Sequence, residues 1–449
     1  MKSVSGKYWE EIKSCNRIIQ KIKNETNLSE IIAKIILYRN FDQTEILSIE
    51  NNIELSNPFL NSVDFENCSI ILDESIKNKD KILIIGDYDV DGSVSTALMI
   101  KFLKKINYPF EFYIPDRIDD GYGASLRLVK KLCQKKPSLI IMVDCGSNSN
   151  EAIDFLNQNN IKCIIIDHHE IFKPYPKTKN LINPKKECDY STLDYFCASA
   201  LTYFFIDYFI KRRKLNVTFQ EELIYVLLAT IADVMPLRKI NRIIAINVLK
   251  NFDVSENVIF KTIFNIKNIK KKLSVSDLGF IIAPIINSSG RIGDSKKGVE
   301  VLIDDNEENK KKILNKLIHL NEKRKLLETN ILKIIDLAKI SKDNNDIIIL
   351  KVNNIHEGLI GIIASKIKDY FNKPVIIFTT SGSFLKGSAR STNNFNIGKY
   401  IKVALDKKLI ITGGGHNLAA GITLKKNNYV LFKNFLFKIY ELNYKKNIS

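Results

Sequence analysis

The tripeptide Asp167-His168-His169, set directly after the apolar run Ile161-Lys162-Cys163-Ile164-Ile165-Ile166, is the strongest constraint in this 449-residue chain. Only five histidines occur in the sequence, and two of them stand side by side where a strand is predicted to stop. Two earlier apolar runs also end in carboxylates. Leu83-Ile84-Ile85-Gly86 leads into Asp87-Tyr88-Asp89-Val90-Asp91-Gly92, and Leu139-Ile140-Ile141-Met142-Val143 leads into Asp144-Cys145-Gly146. Amphipathic stretches such as Leu98–Leu103, Leu126–Leu132 and Ala152–Leu156 separate the runs. This alternation predicts βαβ units and a parallel sheet. Ligands of such sheets bind outside the carboxyl ends of the strands. Strand ends carrying Asp87, Asp89, Asp91 and Asp144 and the His168-His169 pair therefore predict one metal-binding crevice and metal-dependent hydrolysis.

Asp87, Asp89 and Asp91 are spaced i, i+2, i+4, which in extended backbone puts them on one face. Three crowded carboxylates repel, and a divalent cation offsets the repulsion. A polar turn is the alternative for this motif, and Asp144 before Gly reads by itself as a turn or cap. Adjacent histidines in an extended chain face opposite ways, so one of His168 and His169 is expected on metal and the other towards substrate. A mixed Asp and His set suits Mn²⁺ better than Ca²⁺ or a structural Zn²⁺. Asp233, in the apolar Ala232-Asp233-Val234-Met235-Pro236-Leu237, needs a partner if buried; a metal or a helix cap before Pro236 would supply one. Together these acids and His168 predict two divalent cations about 3.5–4 Å apart. No Ser/His/Asp arrangement or Walker lysine is evident, so the expected nucleophile is a metal-activated water.

Residues from about Asn306 to Ile340 lack Gly and Pro, and Ile313, Leu314, Leu317, Leu320, Leu327, Ile331 and Ile335 recur at helical spacing. A long connector helix is predicted, followed by a second α/β pattern: a strand over Ile347–Leu350, a helix over Leu359–Lys368 and a strand over Val375–Phe378. Three glycine-containing segments in the second half suit anions. Gly413-Gly414-Gly415-His416 lets backbone N–H groups approach a phosphate, and Gly387-Ser388-Ala389-Arg390-Ser391 and Ser288-Ser289-Gly290-Arg291 add guanidiniums and hydroxyls. They are read as loops, with tight turns as the alternative. His356 faces an anion or caps the helix after it, and His319 is expected on the surface of the connector.

The formal net charge of +18 fits a polyanionic partner such as nucleic acid, or equally a drift towards Lys, Asn and Ile. Seven cysteines, an odd number without a CxxC pair, argue against a disulfide framework or zinc ribbon and fit a reducing compartment. Met1–Gly6 lacks the apolar core of a signal peptide. The greasiest stretch, Leu201–Ile210, contains Asp207 and is too short to span a bilayer. No membrane association is expected, and the expected location is cytoplasmic.

In order, Asp87-Tyr88-Asp89-Val90-Asp91-Gly92, Val143-Asp144-Cys145-Gly146, Asp167-His168-His169 and Ala232-Asp233-Val234-Met235-Pro236-Leu237 resemble the DHH phosphoesterase superfamily. The closer resemblance is to its RecJ group, single-strand-specific 5′-to-3′ exodeoxyribonucleases. It is carried further by Arg117-Ile118-Asp119-Asp120-Gly121-Tyr122-Gly123, Asn287–Arg291, His356-Glu357-Gly358-Leu359-Ile360-Gly361, Gly387–Ser391 and Gly413–Gly421. The match runs from about Lys81 to Thr423, and its specificity lies in the combination of motifs. The resemblance implies metal ligation by Asp89, Asp91, Asp144, His168 and Asp233, with Asp87 as a ligand or its immediate partner. It places His169 near the scissile phosphate. Arg390 and Ser388 would hold a 5′-phosphate, while Arg117, Arg291, His416, Gly414 and Gly415 would meet the substrate. Implied cofactors are two divalent cations, Mn²⁺ or Mg²⁺. The implied partner is single-stranded DNA, assisted by a helicase and a single-strand-binding protein in repair and recombination.

The fold expected is α/β: a parallel-sheet DHH domain joined by a long helix to a smaller α/β DHHA1 domain. The expected divisions are a helical lead-in over 1–75, a catalytic domain over 76–305, a connector over 306–341 and a substrate-binding domain over 342–449. Departures from the RecJ pattern are Ala389 and Asn394, where Gly is common, and the 25 residues after Leu424, too few for an oligonucleotide-binding barrel. Two other readings stay open: a phosphodiesterase for short oligoribonucleotides or cyclic dinucleotides, and an inactive nucleic-acid-binding scaffold.

Overall fold

The structure, a computed structural model, describes all residues except 1–2, 5–7, 11–14, 51–53, 118, 122, 344 and 443–449. Ile118 and Tyr122 of the Arg117–Gly123 motif thus lie outside the described residues. The Ile/Leu/Val runs form the centre of a five-stranded sheet: β1 (Ile82–Ile85), β2 (Phe110–Tyr113), β3 (Leu139–Val143), β4 (Lys162–Ile166) and β5 (Leu181–Ile182). Its order is β2-β1-β3-β4-β5, and every pairing is parallel. Parallel strands are covered on both faces, so their sequences read as continuous apolar runs.

The strand period of two then sorts the run. Ile82, Ile84, Leu139, Ile141, Val143, Ile164 and Ile166 face the large core containing the helices Val90–Lys105, Ala198–Arg213 and Leu223–Ala232. Leu83, Ile85, Ile140, Met142 and Ile165 face the smaller core under Leu126–Cys133 and Asn150–Gln158. The chain leaves β1 towards β2 on one side and continues from β3 on the other. The topological switch point therefore lies between β1 and β3, where a doubly wound sheet opens its crevice. Asp87 and Asp144 follow those two strands.

The first 75 residues divide in two. Helices Asn16–Glu25 and Glu30–Tyr38 have a small core of their own, whereas Phe65, Cys68 and Leu72 of helix Val63–Lys77 are buried in the main core with Phe59. The connector helix Glu307–Ile334 has 28 residues, about 42 Å at helical rise. It stops short of the predicted Ile340 because Asp336 caps a separate helix, Leu337–Lys342, by accepting from Lys339 N at 2.9 Å. His319 is exposed on it, as expected.

Beyond lies a second sheet: β6 (Ile348–Lys351), β7 (Val375–Ser381), β8 (Phe384–Arg390), β9 (Thr412–His416) and β10 (Ala419–Lys425), in the order β6-β7-β8-β10-β9. Only β6 and β7 run parallel. Helices Ile397–Asp406 and Tyr429–Tyr440 cover one face, and Glu357–Phe371 with the end of the connector covers the other. The α/β class, the parallel first sheet and the smaller second unit agree with the sequence expectation.

Candidate metal centre and anion cleft

Asp87, Asp91, Asp144 and His168 are all buried at the carboxyl end of the first sheet, each 5% exposed or less, while Asp89, Asp233 and His169 are half-buried. Ligand atoms converge in three groups: Asp87/Asp89/Asp144, Asp91/His168/Asp233 and Asp144/His168/His169. His168 Nε2 lies 3.4 Å from Asp144, 3.5 Å from Asp233 and 3.6 Å from Asp91, three carboxylates from three different elements. Atoms sharing one cation at about 2.1 Å sit roughly 3–3.5 Å apart, so the spacing suits a common ion.

The extended-backbone expectation for Asp87, Asp89 and Asp91 is corrected. Asp89 accepts from Gly92 N at 3.0 Å and caps the helix Val90–Lys105, which curls Asp91 into its first turn. Asp91 is drawn away by the N-terminus of the next long helix, accepting from Ala198 N and Ser199 N at 2.8 Å each. It joins a different ligand group from Asp87 and Asp89. The two histidines do not face opposite ways either: their rings tilt against each other at 4.7 Å, both within reach of Asp144. The chain has left strand β4 by Asp167 and is no longer extended.

Asp167 has a role the sequence reading left unassigned. It accepts from the N–H groups of Ser147, His168 and His169 at 3.0, 2.8 and 3.2 Å, and faces His169 Nδ1 at 2.8 Å. Burial works against charge on His169, but Asp167 beside it raises the imidazole to about 9. Burial likewise opposes charge on Asp167, yet His169 and the N–H donors hold its carboxyl well below the usual range. His168 differs: burial pushes its imidazole down.

The site fits a cation. Among the described residues, both Asp144 oxygens, Asp87 Oδ1 and His168 Nδ1 are buried with no hydrogen-bond partner. Burial and then neighbouring acids push Asp87 and Asp233 up to about 8 and raise Asp144 well above its ordinary value. Unpaired carboxylates of this kind stay protonated or bind metal. An unfolded Asp ionises near 3.8, whereas folded Asp87 and Asp233 keep their protons to about 8. The metal-free fold therefore binds more protons and loses stability as pH rises between those values. Thermal melts with chelator are expected to show Tm falling from pH 5 to pH 8. Saturating Mn²⁺ is expected to raise Tm more at pH 8 than at pH 5; an equal increment at both would contradict this.

A cluster of guanidiniums stands beside the acids. Burial and then Arg117, Arg324 and Arg390 push Arg291 down to about 10. Arg117 lies over the Tyr88 ring at 4.8 Å, and Arg390 donates to Ser388 Oγ at 3.2 Å and Ala389 O at 2.8 Å. Arg324, from the connector helix, is a fourth member that sequence spacing could not place; it is braced by Glu328 at 3.0 Å. Close backbone packing holds the Tyr88 and Arg291 segments together and joins Arg291 to the second half. A Cβ on Gly290 would meet Tyr88 O at 2.1 Å, and one on Gly358 would meet Arg291 O at 2.0 Å.

The three glycine-containing anion segments are not loops. Gly387–Arg390 lies in β8 and Gly413–His416 in edge strand β9, because antiparallel pairing with β10 satisfies their backbone. Ser289–Ile292 is a short helix. Gly414 pairs with Gly421, and a Cβ on either would meet open space, so bare backbone faces outward there; Gly415 instead abuts Ala419 O. Ala389 is fully buried in the core beneath β8, on the face opposite Ser388 and Arg390. His416, exposed at the end of β9, has Lys185, Glu170, His169 and Arg390 as its charged neighbours. His356 is a cap, its Nδ1 accepting from Gly358 N at 3.1 Å.

Comparison with known proteins follows the same division. The DHH family N-terminal domain matches residues 81–231 and the DHHA1 domain matches 344–441. The single-stranded-DNA-specific exonuclease RecJ of Haemophilus influenzae is 30% identical over 81% of this chain and 66% of its own length. That of Escherichia coli is 28% identical over 88% of this chain and 72% of its own. This chain thus spans about two thirds of the length of those relatives. In fold it is similar to RecJ from Thermus thermophilus in complex with Mn²⁺, with a TM-score of 0.81 and 22% identity over 95% of this chain and 61% of that one. A manganese-bound exonuclease RecJ gives 0.72 and 24% identity over 88% and 96%.

Proposed function

The chain belongs to the DHH family, as a member with a DHHA1 domain and RecJ relatives, and on that premise we propose that it hydrolyses single-stranded DNA from the 5′ end to 5′-mononucleotides, using Mn²⁺ or Mg²⁺. One observation carries the proposal: unpaired carboxylates and His168 adjoin four guanidiniums contributed by both halves of the molecule. The metal-bound RecJ structures support the choice of ion.

In this reading 76–305 is the catalytic unit, 306–341 the connector and 342–449 the unit that holds the strand. Asp91, His168 and Asp233 would hold one cation, and Asp89 and Asp144, with Asp87, the other. When bound, the pair would supply charge that activates water and stabilises the attacking and leaving oxygens. His169 is held through Nδ1 by Asp167, so its Nε2 is the atom that carries a proton to the scissile phosphate. Arg390 and Ser388 hold the terminal 5′-phosphate, and Arg117, Arg291 and His416 hold the phosphates next to it. The bare backbone of Gly414 lets the strand lie close to β9, with Gly415 as its neighbour on the same edge. Seven free cysteines support a reducing, cytoplasmic setting, and a helicase and a single-strand-binding protein would present the strand. Among the described residues no helix is long and apolar enough to cross a membrane.

The test compares a long single strand, the matching duplex and a dinucleotide. Mononucleotides released from the 5′ end of the single strand support the proposal. Cleavage of the dinucleotide alone would move the chain to the small-substrate phosphodiesterases, and binding without cleavage would make it a scaffold. Within the proposal, Arg390→Ala is expected to reduce the preference for a 5′-phosphate over a 5′-hydroxyl by about tenfold or more, since a charge-assisted hydrogen bond contributes about 1.5–3 kcal/mol. Initial rates on the two ends check this; an equal loss on both would contradict the assignment.

A further inference from the structure

We propose that the N-terminal segment Arg39–Glu45 is a clamp on the loop that carries Asp233, and that it thereby sets the affinity of one of the two cation sites. The inference rests on the reading of Asp233 as a ligand. Asp233 is the least supported member of the acidic cluster. Asp87, Asp91 and Asp144 are 1–2% exposed, but Asp233 closes the helix Leu223–Ala232 and no residue from 231 to 240 is fully buried. The loop is also strained at both ends. Val234 adopts φ +57° while 86% exposed, and Lys239 adopts φ +46°. A β-branched residue disfavours that left-handed region, and at Val234 the helix end itself imposes it, through a Schellman turn in which Met235 N donates to Thr230 O at 3.0 Å and Val234 N to Ile231 O at 3.2 Å.

The N-terminal segment holds the other end, at Arg238 and Lys239, from outside the loop. Glu45 is 2% exposed, and its two carboxylate oxygens take both Nε and Nη2 of Arg238. The same carboxylate accepts from Lys239 N at 3.1 Å, which caps the helix Lys239–Asn251 that its own residues leave uncapped. Asp42 N adds a further donor at 3.1 Å, and the hydrogen-bonded Arg238 holds the Glu45 carboxyl down to about 2 despite its burial. The Arg238 guanidinium also donates to Arg39 O at 3.0 Å and Asn40 O at 2.9 Å, and lies 5.0 Å over the Phe41 ring, which Arg242 shares at 5.8 Å. Every donor of Arg238 among these contacts goes to the N-terminal segment. An arginine five residues after Asp233 is thus tied to a different part of the chain. The acidic cluster gains a fixed Asp233 from an element that contributes no ligand to it.

The experiment titrates the metal-free full chain with Mn²⁺, reading bound and free ion by electron paramagnetic resonance and calorimetry, for wild type, Arg238→Ala, Arg238→Lys and Glu45→Gln. Partners that orient a ligand typically govern metal affinity by about 10–100-fold. Arg238→Ala and Glu45→Gln should weaken one Mn²⁺ site by about tenfold and leave the other as in wild type. Arg238→Lys, which keeps the charge but not the fork, should fall between. Excess Mn²⁺ should restore the cleavage rate, which a general loss of folding would not allow. Should Arg238→Ala fail to fold, Glu45→Gln decides. Folded Glu45→Gln binding both ions as wild type does would overturn the clamp. Wild type that binds no Mn²⁺ would instead overturn the metal reading itself.

Discussion

Asp144→Asn is expected to lower cleavage of a single strand by about 10³-fold or more while leaving the protein folded. The Asp144 side chain is the point where the ligand groups meet, within reach of His168 and His169 on one side and of Asp87 and Asp89 on the other. Neither of its oxygens has a hydrogen-bond partner among the described residues, so the carboxylate is not needed to satisfy the protein. Asparagine matches its shape and removes a charge that burial, and then the neighbouring acids, already disfavour. Stability in chelator should therefore stay level or rise, since a buried unpaired charge is costly. Activity moves the other way. A carboxylate that holds a catalytic cation would contribute several kcal/mol of transition-state stabilisation, and each factor of ten in rate corresponds to about 1.36 kcal/mol. Single-turnover rates with saturating Mn²⁺, taken beside thermal melts with and without the ion, check both halves. A folded Asp144→Asn within tenfold of wild type would remove Asp144 from the ligand set.

Asp167→Asn is the second large effect, expected to cost about 10²-fold or more in rate through His169. Asp167 meets three backbone N–H donors and the His169 ring with two oxygens. An asparagine has one acceptor oxygen, and its amide would point N–H groups at other donors. The ring loses its tautomer and its orientation together; the comparable Asp→Asn change in a catalytic triad costs about 10⁴. The His169 pKa gives an independent readout in metal-free protein. With Asp167 in place the imidazole titrates near 9; without that charge, burial is the leading influence and the pKa should fall towards or below 6.5. Nuclear magnetic resonance of the ring follows this directly. An Asp167→Asn protein whose His169 still titrates near 9 would show that other carboxylates hold the ring.

Strand ends and the buried runs before them were legible in the sequence because a parallel sheet covered on both faces demands continuous Ile/Leu/Val, and the crevice follows from strand order. The membership of the acidic cluster was legible too, through Asp87, Asp89, Asp91, Asp144, His168 and Asp233. How its members divide was not. Spacing alone cannot show that Asp89 caps a helix, or that Asp91 turns to the N-terminus of a helix more than a hundred residues later. Gly413–Gly415 looked like a loop because glycine is rare in strands; pairing with β10 is a long-range fact. Arg324 and Glu45 were invisible for the same reason. Each acts through a partner brought in by tertiary packing, and neither sits in a local pattern that marks it. Asp167 did carry a signal, an acid at a strand end before two histidines, but nothing in the local pattern separates a residue that orients a histidine from one that only ends a strand.

Everything proposed for the site depends on the acids at the ends of β1 and β3, with His168 and Asp233, holding the cations that run phosphodiester hydrolysis on a single strand. Incubating the purified chain with a long 5′-labelled single strand, first in chelator and then with Mn²⁺ restored, tests that dependence without any substitution. No product is expected in chelator, and labelled mononucleotide is expected as the first product once Mn²⁺ is present. Cleavage that persists in chelator, or internal fragments in place of labelled mononucleotide, would contradict it.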